Sequence, residues 1–498
     1  MGGGRARHVT RVLGRLLAEQ ARSQRAKPGE GAEERARALR EALQELGPFY
    51  IKIGQMLSTR PDFVSPVVLR ELKLLHDQVS PAPFTVFEPV LADELGPRWR
   101  RLFREIDTSA PLGAASLAQV YRAQLTDGTS AAVKIQRPQV EGVLMDDMRL
   151  LRRAARVLAR AAPRFTAVVD VPAMLSVLFE AMAAEADFRV EAGNMRRGRR
   201  LALEFEHLSV PRVLMPPTRR VLVQALAPGV SIRDADPGDF TAAQRAAIGR
   251  DLMAFMYRGY FLDRYFHADP HPGNIFVAPD EPAHLIDWGM VGRMESGASR
   301  GLVLALLNVA ANDGAGLATT WIEMGNPTAW ADLAGFRSDI SLLVPKLSSV
   351  SLEELDFGVT LTAILMHATR RGIRTSPVIS LLGKSFANLE GSIRYLCPEL
   401  SITDVFADNL RTIIFGLARE TLSEQQAART ALDLMIAAPG ALQQTRGILR
   451  TIADQDLTFH AKVAGESNEP GKLSDTGSRT FWAALVLAVF LVRRGRRM

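Results

Sequence analysis

The spacing of apolar positions changes along this chain and separates a small sheet-containing region from the helical regions around it. Between residues 32 and 80, apolar positions recur at helical spacing, with breaks at Gly47-Pro48 and at Pro61. From 112 to 136, two strand-like runs flank Asp127-Gly128, a dipeptide typical of a β-hairpin turn. The first part of the chain therefore predicts helices followed by a hairpin.

Helical spacing returns after the hairpin. It covers residues 138–164 and a second helix predicted from Pro172 to about residue 206. A short strand is predicted at 220–226, and the remainder to residue 457 is mostly helical apart from an irregular stretch at 267–293. This order predicts a small lobe that contains the sheet and a larger helical lobe after it.

Length and composition narrow the class of protein. The 498 residues allow two to four domains or one large elaborated domain. A hydrophobic fraction of 47% and a charged fraction of 23% exclude a disordered, collagen-like or disulfide-framework protein. The single cysteine, Cys397, excludes an intrachain disulfide and an all-cysteine zinc site, and it favours a reducing compartment.

The net charge of +7 is concentrated at the two ends of the chain. The first 27 residues carry +6 and the last 20 carry +5, so the body between them carries −4. A nucleic-acid-binding protein usually has its basic residues on the fold itself, so we expect no nucleic-acid partner. Basic tails beside apolar segments are typical of proteins that bind an anionic membrane surface.

The N-terminal tail has the pattern of a basic amphipathic helix. Its apolar residues share one helical face and alternate with arginines: Val9, Val12, Leu13, Leu16 and Leu17. The pattern is equally consistent with binding to a lipid surface and with packing on the body of the protein. No secretory signal is visible.

The C-terminal tail is more distinctive. Residues 481–492 form an uninterrupted apolar run that ends in Arg-Arg-Gly-Arg-Arg. As a helix these residues span about 18 Å, which is shorter than a hydrocarbon core of about 30 Å. The run predicts a membrane-anchoring tail on a polar tether; the alternative is a helix that docks on the body or on a partner.

The strongest chemical signal lies between residues 267 and 289. Asp269 and Asn274 are five residues apart in the stretch that begins with His267, and Asp287 opens an Asp-Trp-Gly sequence thirteen residues later. Protein kinases use this spacing for a catalytic aspartate and two magnesium ligands. The spacing favours phosphoryl transfer. The alternatives are a transition-metal site that uses His267 and His271, and an ordinary polar loop.

Two upstream segments resemble the other parts of a kinase nucleotide site. The first is an alanine-rich version of the glycine-rich phosphate loop, and its candidate nucleotide-binding residues are Gly113, Ala114, Ala115, Ser116 and Val120. Alanine lacks the access of glycine to positive φ, so this loop is expected to be stiffer than that of a protein kinase.

The second segment is Ala-Ala-Val-Lys134, which has the form of the strand lysine that meets the nucleotide phosphates. Such a lysine needs an acidic partner on a helix, and the predicted helix after Pro172 offers Glu185, Asp187 and Glu191. Taken alone, Lys134 is equally consistent with an ordinary exposed lysine. The three acids, taken alone, are equally consistent with a solvated face of the helix.

Together with the segment Phe49-Tyr-Ile-Lys52-Ile-Gly54-Gln55, these motifs resemble the UbiB/aarF-domain family of atypical kinase-like proteins. Lys52 and Gln55 match the Lys-x-Gly-Gln signature of the family, and Glu185 and Asp187 match its Glu-x-Asp motif. The resemblance extends from about residue 46 to about residue 402.

The resemblance implies an α+β, protein kinase-like two-lobed fold that uses ATP and Mg²⁺. In that fold Lys134 would bind phosphates and pair with Glu191, and Asp269 would be the catalytic aspartate. Asn274 and Asp287 would hold magnesium. Lys52 and Gln55 would form a lid over the nucleotide and meet Glu185 and Asp187, which would exclude protein substrates.

Members of this family behave more as ATPases than as protein kinases and support isoprenoid quinone synthesis at membranes. The resemblance therefore implies a membrane-associated enzyme whose catalytic domain lies on the cytoplasmic side, with quinone precursors or their enzymes as partners and with oligomers allowed. Two alternatives stay open: a true kinase acting on a small molecule, lipid or protein, and a pseudokinase scaffold that binds nucleotide and lipid.

This chain departs from the motifs at two positions of the site. Gly113 replaces the first alanine of the loop, which affects the expected nucleotide preference, and Trp288 replaces the usual phenylalanine, which we expect to be tolerated. Ala268 replaces the arginine of protein kinases, as in the family, so control by a phosphorylated activation loop is not expected.

The predicted organisation has six parts. They are a basic N-terminal segment (1–30), a helical extension (31–110), a kinase-like N-lobe (111–228), a helical C-lobe (229–462), a linker (463–479) and a hydrophobic, basic tail (480–498).

Overall fold

A computed structural model describes most of the chain before residue 422. The described residues are ten helical positions between 4 and 16, residues 32–58, 66–75, 80–161 except 116 and 139, three helical positions between 176 and 182, and residues 186–348 and 357–421. The predicted linker and C-terminal tail lie outside them. Within the described part, no helix is both long enough and apolar enough to cross a membrane.

The helical extension packs in a hydrophobic core that also includes Leu144 and Met148 from further along the chain. Its helices are α1 (Ala32–Leu46), α2 (Pro48–Ser58) and α3 (Pro66–Lys73), and the predicted break at Gly47 is confirmed by a φ of +93° there. Gly54 allows α2 to approach its neighbours, because a Cβ there would lie 2.2 Å from Leu75 Cδ1.

The apolar face of the N-terminal segment belongs to this same core. Val9, Val12 and Leu16 are at most 3% exposed and cluster with Leu39 and Leu43 of α1. The sequence pattern is consistent with binding to lipid or with packing on the body of the protein. The structure shows that the segment packs on the body.

The small lobe is built on an antiparallel sheet. Its strands are β1 (Phe103–Ile106), β2 (Gly113–Ala114), β3 (Ala118–Leu125), β4 (Ser130–Gln136) and β6 (Val221–Ala225), in the order β1-β3-β4-β6 with β2 beside β3. The predicted hairpin is confirmed: Tyr121 pairs with Val133, and Gly128 turns at a φ of +87°. Helix α4 (Glu88–Leu95) packs against this sheet, and both α4 and β1 precede residue 111, so the sheet begins earlier than the pattern predicted.

Two helices of the small lobe follow the hairpin. Helix α5 (Val140–Ala161) agrees with the prediction, but the continuous helix predicted from 172 to 206 is wrong. Ala186 lies in a turn, and Asp187 is extended (φ −139°, ψ 97°) and accepts a hydrogen bond from the Arg189 amide. Because an aspartate in this position caps a new helix, α6 begins at Phe188 and ends at Ala202.

The large lobe is mainly helical in its described part. Its helices are α7 (Ala242–Phe261), α8 (Ser296–Ala310), α9 (Gly314–Met324), α10 (Leu333–Ser348), α11 (Phe357–Arg370), α12 (Pro377–Leu396) and α13 (Ile402–Thr421). The predicted irregular stretch at 267–293 is instead a set of three-residue strands: β8 (Tyr265–His267), β9 (Ile275–Val277), β10 (Ala283–Leu285) and β11 (Val291–Arg293).

Short pairings complete these small sheets. Strands β9 and β10 are antiparallel and are flanked by β5 (Leu208–Ser209) and β7 (Val230–Ser231), while β8 pairs with β11. A further pair, β12 (Asn326–Pro327) and β13 (Ile373–Arg374), joins the helices downstream. By its contacts the described chain divides into two compact units, one up to Phe406 and one from Ala407 onward.

Candidate active site

Lys134 lies at the centre of a cluster of charged residues. Strand β4 holds it between Val120 of β3 and Leu222 of β6, and its Nζ lies 2.9 Å from both carboxylate oxygens of Glu191 and 2.9 Å from Asp287 Oδ1. Glu191 is in the first turn of α6 and only 1% exposed. The structure therefore brings together three predicted site residues from separate segments.

The charge of Lys134 is maintained by these two acids. Burial favours the neutral amine, but the negative charges of Asp287 and Glu191 outweigh this effect and raise the pKa of Lys134 above its ordinary value. Lys134 is consequently a fixed cation at the centre of this cluster. Removal of either acid would leave a strongly charged, largely enclosed group with one partner fewer.

Asp287 lies in a rarely used backbone conformation. Its φ of 57° is in the left-handed region, which costs a non-glycine residue of the order of 1–3 kcal/mol and is enriched at functional sites. The side chain stays 48% exposed while it contacts Lys134. The turn thus leaves the carboxylate partly open to solvent beside Lys134.

The hairpin of β9 and β10 brings the two predicted magnesium ligands to one end. Asn274 directly precedes β9 and Asp287 follows β10, and the Ile286 amide donates to the Asn274 carbonyl at 2.9 Å. The Asn274 side-chain amide donates to the Asp269 carbonyl at 3.0 Å through its nitrogen, so this bond does not use its side-chain oxygen. One carboxylate and one amide oxygen, both hard donors, fit the needs of a Mg²⁺–nucleotide complex, because Mg²⁺ takes its other ligands from water and phosphate.

His267 holds the loop that carries Asp269 in place. Its Nδ1 accepts from the Asp269 amide (3.2 Å), so its Nε2 carries the proton and donates to the carbonyls of Ile286 (3.1 Å) and Asp287 (2.9 Å). Burial lowers the pKa of this imidazole, against the opposing charges of Asp287 and Asp269. Both ring nitrogens are therefore engaged, and the transition-metal interpretation of His267 is wrong.

The second histidine of that interpretation also has a structural partner. His271 Nδ1 accepts a hydrogen bond from the Gly273 amide at 3.0 Å and caps the turn Pro272–Asn274. Among the described residues, no group of three or more His, Cys, Asp or Glu side chains is arranged to hold a metal ion.

The alanine-rich loop pairs with its own return strand. The amides of Leu112 and Ala115 donate to the carbonyls of Val120 and Ala118, each at 2.8 Å, and Arg137 Nε donates to the Ala115 carbonyl at 3.0 Å. Gly113 has no positive φ, and a Cβ there would meet nothing within 4 Å. An alanine would therefore fit at position 113. The glycine found there is not required by the backbone conformation or by the available space. Ser116 lies outside the described residues.

The predicted lid is described only in part. Lys52 and Gln55 are on helix α2, but their side chains lie outside the described part, as does Glu185. Asp187 contacts Arg189, whose Nη2 lies 2.6 Å from Asp187 Oδ2, and the hydrogen bonds from the Arg189 side chain lower the pKa of the carboxyl group. The contact of the Lys-x-Gly-Gln segment with the Glu-x-Asp motif stays a prediction.

Helix α12 supplies site residues that the pattern analysis did not identify. Asp269 Oδ1 accepts from Asn388 Nδ2 at 2.6 Å and lies 3.2 Å from Lys384 Nζ. Ser385 Oγ donates to the His267 carbonyl (2.6 Å) and Ser392 Oγ to the Pro270 carbonyl (2.9 Å). The sequence signal for these residues is a polar stripe along a largely apolar helix, at positions i, i+1, i+4 and i+8 counted from Lys384.

Comparisons with known proteins bear on the family and the fold of this chain. A family model described as the ABC1 atypical kinase-like domain matches residues 74–320. An uncharacterized protein of Synechocystis, slr0889, is 32% identical over 368 residues, which cover 71% of this chain and 89% of that protein. A probable protein kinase UbiB of Aliivibrio fischeri is 31% identical over 370 residues, 73% of this chain and 68% of that protein.

A solved structure gives the same fold. A Mycobacterium tuberculosis protein, determined in complex with erythromycin, has a TM-score of 0.50 and 24% identity, and the match covers 73% of this chain and 92% of that one.

Proposed function

Because this chain belongs to the UbiB family of ABC1 atypical kinase-like proteins, we propose that it binds Mg²⁺–ATP and transfers or hydrolyses the terminal phosphate. The observation that carries the proposal is the position of Lys134 Nζ, 2.9 Å from both Glu191 and Asp287. A lysine held between a helix glutamate and the aspartate after the catalytic loop is the arrangement that kinases use to bind nucleotide phosphates.

Each residue has a defined part in the proposed reaction. Lys134 binds and orients the phosphates, and Asn274 and Asp287 hold magnesium, which when bound neutralises phosphate charge. Asp269 accepts a hydrogen bond from the attacking hydroxyl or water and takes its proton as the new O–P bond forms. The bond between the γ-phosphorus and its bridging oxygen breaks at the same time, and ADP leaves.

The first prediction tests the site at Asp287. Asp287→Asn should abolish Mg²⁺-dependent ATP turnover, because the amide supplies neither an anionic ligand to the metal nor the second carboxylate beside Lys134. Turnover is measured on purified protein, with circular dichroism to show an unchanged fold. Asp234→Asn, an exposed acid outside the site, is the control and should turn over ATP at the wild-type rate. Wild-type turnover by folded Asp287→Asn would refute the proposed site.

We also propose that the enzyme acts at a membrane, on or beside isoprenoid quinone intermediates. The support is the name of the UbiB relatives, the basic ends of the chain and the apolar run at 481–492. The N-terminal segment contributes less to membrane binding than its sequence pattern suggested, because Val9, Val12 and Leu16 are buried in the protein.

The second prediction concerns this tail. Deletion of residues 480–498 removes the apolar run and four arginines, and it should move much of the protein from the membrane fraction to the soluble fraction. Residual binding should weaken in high salt, since it would depend on lipid charge. A companion assay of ATP turnover with and without anionic liposomes should show stimulation only in the full-length protein. Unchanged, salt-resistant membrane association after the deletion would place the anchor elsewhere.

A further inference from the structure

Helix α12 presents four polar side chains to the catalytic loop. Ser385 and Ser392 bond backbone carbonyls on either side of Asp269, whereas Asn388 and Lys384 bond its carboxylate. Apart from Ser380, which is also buried, the other large inward side chains of the helix are apolar: Ile379, Leu382, Phe386, Leu389, Ile393 and Leu396. All four polar side chains therefore contact the same loop, and Asn388 and Lys384 both contact Asp269 Oδ1.

Lys384 gives the carboxylate of Asp269 a cationic partner from helix α12. Lys134 is engaged with Glu191 and Asp287, and the arginine that precedes the catalytic aspartate in protein kinases is here Ala268, which is fully buried. Lys384 reaches the same carboxylate from a different element, at 3.2 Å, with its side chain 20% exposed. A charge in such a partly enclosed position interacts more strongly than one in open water.

We propose that Lys384 and Asn388 are positioning residues for Asp269. Lys384 acts through its positive charge, and Asn388 acts through a hydrogen bond that orients the carboxylate. Asn388 fixes the rotation of the carboxylate through a short hydrogen bond, and Lys384 balances its charge beside the phosphates of the nucleotide. Together they hold Asp269 toward the attacking hydroxyl or water. This inference rests on the proposed phosphoryl-transfer function, because it assigns these residues a part in the same step.

A positioning role has a kinetic signature that a structural role lacks. Misplacement of a reacting group by about 1 Å costs about 10²-fold in rate, while nucleotide binding through Lys134 is untouched. Lys384→Met should therefore lower kcat about 10²-fold and leave both KM for ATP and the calorimetric affinity for Mg²⁺–ADP within about twofold. Lys384→Arg, which keeps the charge, should recover at least tenfold of the loss.

The matched control is on the same helix. Arg394→Met removes an exposed cation that pairs with Glu390 and has no contact with the catalytic loop, so its kcat should equal that of the wild type. Thermal unfolding of all variants separates a loss of rate from a loss of fold.

The decisive test combines Lys384→Met with Asp269→Asn. If Lys384 acts through Asp269, the two losses are not multiplicative, and the double variant is no slower than Asp269→Asn alone in single-turnover assays with labelled ATP. A further 10²-fold loss in the double variant would overturn the inference, as would a wild-type kcat in Lys384→Met. Neither outcome concerns the proposed function, which fails only if the wild type shows no Mg²⁺-dependent turnover.

Discussion

Trp288 shows how one substituted side chain is accommodated by its surroundings. The indole is fully buried, donates from Nε1 to the Leu285 carbonyl at 3.0 Å and stacks on Tyr265 with 6.4 Å between ring centroids. Its outer edge lies against Gly198 of α6, where a Cβ would be 2.4 Å from the ring. The tolerance expected for tryptophan at this position thus depends on a glycine ninety residues earlier in the chain.

The third prediction follows from this contact. Gly198→Ala should lower the free energy of unfolding by about 1–3 kcal/mol, because the methyl group overlaps the indole. Gly193→Ala on the same helix meets nothing within 4 Å and should be neutral or stabilising. Combining Gly198→Ala with Trp288→Phe should give a coupling energy of about 0.5–3 kcal/mol in urea unfolding, and strict additivity would show that the two residues do not share this space.

At the residue scale, the sequence predicted the parts of the site that follow one another in a fixed motif. Lys134, Glu191, Asn274 and Asp287 were all named from spacing and resemblance, and the structure brings them together. Lys384 and Asn388 were not named, because they are more than 100 residues from Asp269 and lie in a helix whose apolar spacing is typical of core packing.

At the element scale, the sequence predicted the ends of helices and strands where a turn-forming glycine marks them. It did not predict them where the end depends on a cap or on pairing with a distant segment. The Asp127-Gly128 hairpin and the break at Gly47 were predicted because glycine there adopts a positive φ. The interruption before α6 was missed, since alanine-rich flanks mask the capping role of Asp187. The three-residue strands between 265 and 293 have no period that can be recognised, and they form only because neighbouring segments pair with them.

Helices α10 and α11 are joined by a small ionic network that has a measurable pH dependence. Asp339 of α10 accepts from Arg371 Nε (2.8 Å) and Nη2 (3.0 Å), and His367 Nδ1 of α11 lies 3.3 Å away. The hydrogen bonds from Arg371 are the main reason that the pKa of Asp339 is lowered below its usual value. The folded protein therefore keeps this carboxylate ionised at a pH where the unfolded chain takes up a proton.

The fourth prediction uses this difference. At pH 7, Asp339→Asn should lower the free energy of unfolding by up to about 1 kcal/mol, because the pair is partly exposed. The contribution of Asp339 is complete above the unfolded pKa of about 3.9 and is lost as pH falls through the folded pKa. The difference in urea midpoint between variant and wild type should therefore close below about pH 4. A difference that is constant down to pH 2.5 would contradict the linkage.

At the scale of the whole molecule, the N-terminal segment ties the extension to the small lobe. Arg5 makes a bidentate contact with Asp147 of α5 (2.9 and 2.6 Å) and donates to the Leu46 carbonyl at the end of α1. Asp147 is fully buried, and burial raises the pKa of its carboxyl group against the opposing charge of Arg5. One basic residue of the tail therefore connects the helix that leads to Lys52 with a helix of the kinase-like lobe.

The sequence could not distinguish this role from membrane binding. An arginine-rich amphipathic helix has the same pattern whether its apolar face meets lipid or protein. What decides the outcome is the presence of a complementary surface, here the buried side chains of α1 and a buried acid about 140 residues away. The apolar run at 481–492 has the same ambiguity, and the deletion described above addresses it.

The fifth prediction separates the contact of Arg5 from the general charge of the tail. Arg5→Met should lower the free energy of unfolding by about 3 kcal/mol, since it leaves the Asp147 carboxyl group buried without its cation. Arg15→Met, on the same segment, removes an exposed pair with Glu45 and should cost less than about 1 kcal/mol. Replacing both partners, Arg5→Met with Asp147→Leu, should restore most of the lost stability, because no charge is then left buried. Urea unfolding followed by circular dichroism measures all three; if Arg5→Met and Arg15→Met were equally mild, the N-terminal segment would not be a structural part of the fold.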